Sequence, residues 1–190
     1  MWEVTRLTVG SGVPRDCGPF GPATGHWSGV RNPRIAVGGR AAGWDNRPMP
    51  ADLDRFVQAQ RGVYEGALDE LRRGRKTSHW MWFIFPQIEG LGHSEMAELY
   101  AIESLDEARA YLDHPVLGPR LRACATAILT VSARTAEEIL GPIDAVKLRS
   151  SMTLFLRAAP DEPVFAEVLD RWYGGVPDAA TDARLSHAEA

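Results

Sequence analysis

The chain has 190 residues, 45% of them apolar, with 21 Lys and Arg set against 25 Asp and Glu. That length can bury one substantial core, and a single folded domain with some excess chain is the expected organisation. The two cysteines, Cys17 and Cys124, exclude a disulfide framework, and no apolar run reaches the roughly 18 residues that a membrane span needs.

The charge divides the chain. Residues 1–48 carry nine Gly, five Pro and six Arg against three acids, net +3, without helical or alternating periodicity. They read as a disordered leader, and the following Met49-Pro50 makes Met49 a candidate true start. The leader arginines (Arg6, Arg15, Arg31, Arg34, Arg40, Arg47) are scattered rather than clustered, which argues against a nucleic-acid arm. No apolar run follows a charged start, as a secretory signal would require. Residues 49–190 hold fifteen basic and twenty-two acidic residues, net −7, which disfavours nonspecific nucleic-acid binding and fits a soluble cytoplasmic protein.

From Asp52 the apolar residues Leu53, Phe56, Val57, Val63, Tyr64, Ala67, Leu68 and Leu71 keep helical spacing, with Asp52 placed to cap the start and Gly74 to end it. The stretch from His79 to Gln87 follows, with Trp80, Trp82, Phe83 and Phe85 in nine residues. Its aromatic area demands burial. Its composition favours strand, but no other segment offers a partner strand, so a buried helical turn or two is expected, capped by Thr77 or Ser78 and broken at Pro86. Ser94 opens a short helix, and Ser104 with Glu107 forms a capping box for the next, which ends at His114-Pro115. A helix from Pro115 to about Ser132 follows, with Gly118 and Pro119 disturbing its first turn. Thr135 and Glu138 form a second capping box before Gly141. Pro142 then starts a long helix whose face comprises Ile143, Val146, Leu148, Met152, Phe155 and Leu156. Asp161 and Pro163 start the last major helix, Gly174-Gly175 end it, and the tail from Asp178 adds about one turn. The fold class is all-α, with about seven to eight helices in one domain.

Taken together, Asp52 to Gln60, His79-Trp80-Met81-Trp82 with Phe85-Pro86-Gln87, Gly90-Leu91-Gly92, His114 to Gly118, Arg120-Leu121, Asp144 to Lys147 and Ser150 to Phe155 resemble one family over about residues 51–185. It is the bacterial domain-of-unknown-function family eighteen-ten, some members of which carry a calpastatin label. The label does not suit this chain, because calpastatins act through disordered repeats whereas these segments are periodic and compact. The resemblance implies a multihelical all-α domain and no particular activity.

Two groups of residues could carry chemistry. Trp80 and Trp82, flanked by Lys76 and His79, could sandwich a planar base or nicotinamide with the cation meeting phosphate, and Gln87 either caps an exposed turn or reads an amide-bearing ligand. The bland alternative is a core histidine bonded to a carbonyl, with ordinary tryptophan packing. In the group Asp144, Lys147, Ser150 and Ser151, spacings of three and four place Asp144, Lys147 and one serine on a single helical stripe. A Ser–Lys nucleophile needs a desolvated, low-pKa lysine, and Asp144 opposes that by stabilising the charged form. Anion binding through Lys147, Ser151 and Thr153 is less demanding, and an intrahelical ion pair is the simplest reading. Arg120 and Arg122 join an anion site only if they face one cleft, and Asp178 with Thr181 reads as a turn and cap. His79, His93 and His114 lack metal-ligand spacing, so no metal is expected, and nothing calls for a cofactor. The leading expectation is a pocket for a nucleotide-like or other anionic small molecule beside the aromatic segment, with catalysis left open. The alternative is a helical protein-interaction module without a small-molecule site.

Overall fold

The computed structural model describes residues 52–132 and 135–188, and the expected leader lies outside them. The described residues form ten helices and no strand. In chain order these are α1 (Asp54–Gln60), α2 (Tyr64–Arg72), α3 (Met81–Ile84), α4 (Glu95–Leu99), α5 (Leu105–Asp113), α6 (Leu117–Leu129), α7 (Ala136–Leu140), α8 (Pro142–Ala158), α9 (Pro163–Tyr173) and α10 (Ala179–Ala188). The helix expected from Asp52 to Gly74 is two, because the chain turns at Gly62, whose φ is +75°. Asp52 caps neither; Leu53 occupies the N-cap of α1 without a side-chain bond. The tail forms three turns rather than one because Leu185 and Thr181 find a buried seat against the domain.

Local rules explain most boundaries. Ser94, Ser104 and Thr135 each accept the N–H three residues on, opening α4, α5 and α7. Glu107 reaches back to the N–H of Glu103, one residue before the cap. Proline fills the first position of α8 and of α9. His114 ends α5, and its Nδ1 accepts the N–H groups of Val116 and Leu117 where α6 begins. Near Pro86 the backbone makes one isolated parallel bridge, Ile88 to Ile102.

Two helices organise the packing. α6 lies against α2, α3, α5 and α9, while α8 lies against α5, α7, α9 and α10, so α5 and α9 touch both. Every residue of α8 from Ser150 to Phe155 is buried, as enclosure on several sides requires. Its first turns have fewer neighbours. Ile143 and Val146, expected on the core face, are 72% and 61% exposed. A chain of rings threads the core: Phe56 meets Tyr111 edge-on at 5.1 Å, Tyr111 meets Phe155 at 5.4 Å, and Phe155 meets Phe165 at 5.8 Å. All four side chains are fully buried, each contributing on the order of 2–3 kcal/mol of apolar transfer.

Candidate ligand-binding cleft

The loop after α2 is built in three steps. Gly74, with φ +64°, donates to the carbonyl of Leu71, and Arg75 donates to that of Glu70, closing α2 with a Schellman motif and reversing the chain. The Lys76 N–H then bonds the carbonyl of Ile139, which fastens the loop to α7. Finally the loop wraps around the Glu70 carboxylate. That group accepts the N–H and hydroxyl of Thr77 (2.7 and 2.9 Å), the N–H and hydroxyl of Ser78 (3.1 and 2.7 Å) and the indole N–H of Trp80 (2.9 Å). Burial alone would raise the Glu70 pKa, but these donors outweigh it and hold the carboxyl down to about 2. Thr77 and Ser78 therefore bind the end of α2 and cap nothing in α3, whose N-cap is Trp80 without a side-chain bond.

This loop and the start of α8 form the two sides of a cleft of about 360 Å³, lined by His79, Trp82, Leu140, Gly141, Pro142, Ile143, Asp144 and Lys147. Asp144 sits between two ammonium groups, with Lys76 Nζ 2.8 Å from Oδ2 and Lys147 Nζ 2.9 Å from Oδ1. Burial would raise the Asp144 pKa, and hydrogen bonds from Lys76 and Lys147 hold it below the ordinary aspartate range. Lys76 also donates to the Ser78 carbonyl at 2.8 Å and lies 5.1 Å from the Trp80 ring centre. Lys147 stands 4.6 Å from the ring centre of the half-buried Trp82. At the rim, Gly141 joins α7 to α8 with φ +83° and ψ 159°, a conformation essentially reserved for glycine.

The family described as protein of unknown function (DUF1810) matches residues 50–185. The chain belongs to this family. The crystal structure of the conserved hypothetical protein Rv1873 from Mycobacterium tuberculosis, also similar, is 52% identical with a TM-score of 0.71, over 73% of this chain and 99% of that one. No curated protein matches. Family membership and the all-α fold thus agree with the sequence resemblance, and among the described residues no helix is long and apolar enough to cross a membrane.

For this family member the structure brings Lys76, His79, Asp144 and Lys147 together and leaves the other candidates elsewhere. His79 is exposed at the cleft, not a core histidine, because the loop carrying it turns outward around Glu70. Trp80 has no exposed surface, so it supports the loop from below and offers no face to a ligand. Gln87 does not line the cleft; its carbonyl accepts the Ile102 N–H at the isolated bridge. Ser150 is buried and bonds Asp178 at 3.3 Å, and Ser151 is fully buried with no hydrogen-bond partner for Oγ among the described residues. Neither serine can act as a nucleophile with Lys147, whose ammonium is held by Asp144. Asp178 caps the N–H of Thr181, as expected. Arg120 and Arg122 do not share a cleft: the first bonds Gln60 and the second Glu162.

Glu70 and Ile143 were not foreseen as contributors. Glu70 lies seven, eight and ten positions before its partners, a spacing with no local signature, although Gly74 marked the reversal that joins them. Two other cavities have their cations engaged. In that of about 490 Å³ between α5, α8 and α10, Arg109 pairs with Asp106 and Arg157 with Asp182. In that of about 210 Å³ beside Ile88, Arg184 bonds the carbonyl of Gly90. Among the described residues no three His, Cys, Asp or Glu side chains converge as metal ligands.

Proposed function

We propose that the chain binds a small anionic molecule with a planar or apolar body in the cleft between the α2–α3 loop and α8. The observation that carries this is the sharing of one carboxylate, Asp144, by two ammonium groups beside a partly exposed indole. A cation excess in a half-buried, partly apolar cleft attracts an anion and gives it less water to compete with. The imidazole of His79 adds a hydrogen-bonding group at the mouth.

A thermal-shift screen of nucleotides, ADP-ribose compounds, phosphosugars and aromatic acids tests the reading. A ligand at about a hundred times its Kd stabilises the fold by about 2.7 kcal/mol, a readily measured rise in Tm. Lys147→Met is expected to stay folded and lose that rise. No shift from any of these at millimolar concentration, or a shift unchanged in Lys147→Met, would remove the support for this cleft.

A further inference from the structure

Resting on the cleft reading above, we infer that its ligand is a monoanion with an apolar body, an aryl or alkyl carboxylate by chemical class, and that Asp144 enforces that charge. Two ammonium groups and one carboxylate meet at the cleft, and both carboxylate oxygens are engaged. One positive charge is left over. It is delivered chiefly by Lys147, which among the described residues spends one N–H on Asp144, whereas Lys76 spends one on Asp144 and another on the Ser78 carbonyl. Glu70, a further anion under the same loop, is engaged by five neutral donors and makes a dianion less welcome still.

Apart from His79 at the mouth, the rest of the lining is apolar. Leu140, Pro142 and Ile143 form one wall, and Val146, one turn beyond Ile143 on α8, is exposed next to it. Ile143 and Val146 are among the most exposed large apolar side chains described, so covering them is favourable. A carboxylate on Lys147 with its ring or alkyl body across Trp82 and Ile143 satisfies the charge and the surface together. A nucleoside polyphosphate brings several negative charges to one unbalanced cation and leaves some beside Asp144.

Calorimetric titration of the full chain with indole-3-acetate and with phenyl phosphate, at a pH where the latter is a dianion, tests this. Indole-3-acetate is expected to bind about tenfold more tightly, the scale of one misplaced unit charge near contact distance. Asp144→Asn, which releases one ammonium charge, is expected to reduce or invert that ratio, and Ile143→Ser to weaken indole-3-acetate. Tighter phenyl phosphate binding by the unsubstituted chain overturns the inference and leaves the cleft reading standing, and so does a ratio that a folded Asp144→Asn chain keeps. Binding of neither probe overturns the inference, and an empty thermal-shift screen alongside it removes the cleft reading as well. A concentration-dependent sedimentation shift that Ile143→Ser abolishes assigns the apolar face to a second copy and overturns the inference too.

Discussion

At the scale of single residues, Glu70 and Gly118 are positions where one residue decides the local structure. Glu70 presents two acceptor oxygens to five donors, and Gln would replace one oxygen with a group that repels them. Glu70→Gln is expected to lower unfolding stability by on the order of 1–3 kcal/mol, measured by urea titration at neutral pH. The pH dependence has a definite sign. Because the folded carboxyl is held down to about 2, its contribution is fully present above the ordinary glutamate range and is lost as pH falls toward 2. Stability against pH in acid is expected to be shallower for Glu70→Gln than for the natural sequence. Gly118 is different in kind. A Cβ there would lie 1.9 Å from the carbonyl oxygen of Leu112, where α6 starts against the end of α5. Alanine favours helix intrinsically, yet Gly118→Ala is expected to lower stability by about 1–3 kcal/mol, since backbone cannot retreat as a flexible side chain would. A rise in the urea midpoint would show that the α5–α6 junction can open without cost.

At the scale of elements, α8 and α10 are fastened by side chains rather than by a broad apolar seam. Asp178 accepts the N–H and hydroxyl of Thr181 and bonds Ser150, while its own N–H donates to Thr153 and Arg157 grips Asp182 through two nitrogens. Loss of such a cap costs about 1 kcal/mol of helix stability. Asp178→Ala is therefore expected to raise amide hydrogen exchange across α10 while α8, enclosed by α5, α7 and α9 as well, keeps its protection. Equal loss in both helices would mean that α10 is integral to the core. The helix starts were legible because a capping side chain acts within three residues of its target. The break between α1 and α2 was less so, since apolar spacing continues across Gly62 and only its positive φ shows the turn.

At the scale of the whole molecule, Gln60 links more elements than any other polar side chain described. It is 1% exposed, donates to the Phe83 carbonyl at 2.8 Å and meets the Tyr111 hydroxyl at 3.1 Å, and its oxygen accepts from Arg120 at 3.3 Å. Four helices, α1, α3, α5 and α6, are thereby tied at one amide. Gln60→Leu would leave the Phe83 carbonyl and the Tyr111 hydroxyl with only the 3.4 Å bond between them and would remove the Gln60 oxygen from Arg120, and a loss of about 1–3 kcal/mol in all is expected. Urea unfolding checks this, with the midpoint falling and the slope unchanged if the native packing survives. The aromatic run between Trp80 and Phe85 belongs to the same scale. Its buried members join the core around this amide, while Trp82 and His79 turn out to the cleft.

The sequence by itself determined the fold class, the family and most helix boundaries, because caps, proline starts and apolar spacing act over a few residues and leave their record in local order. It also brought Lys76, His79, Asp144 and Lys147 under suspicion, by residue type. Only the tertiary structure decided which of these meet. Lys76 and Asp144 are joined across 68 positions by the docking of the α2–α3 loop on α7, and the same docking buries Trp80 and exposes His79. Ser150 and Ser151 share a helix with Lys147 but are turned into the core, since α8 passes from an open first turn to full enclosure within its own length. Periodicity identifies the faces of a helix, whereas which faces are covered depends on the neighbours that long-range packing brings.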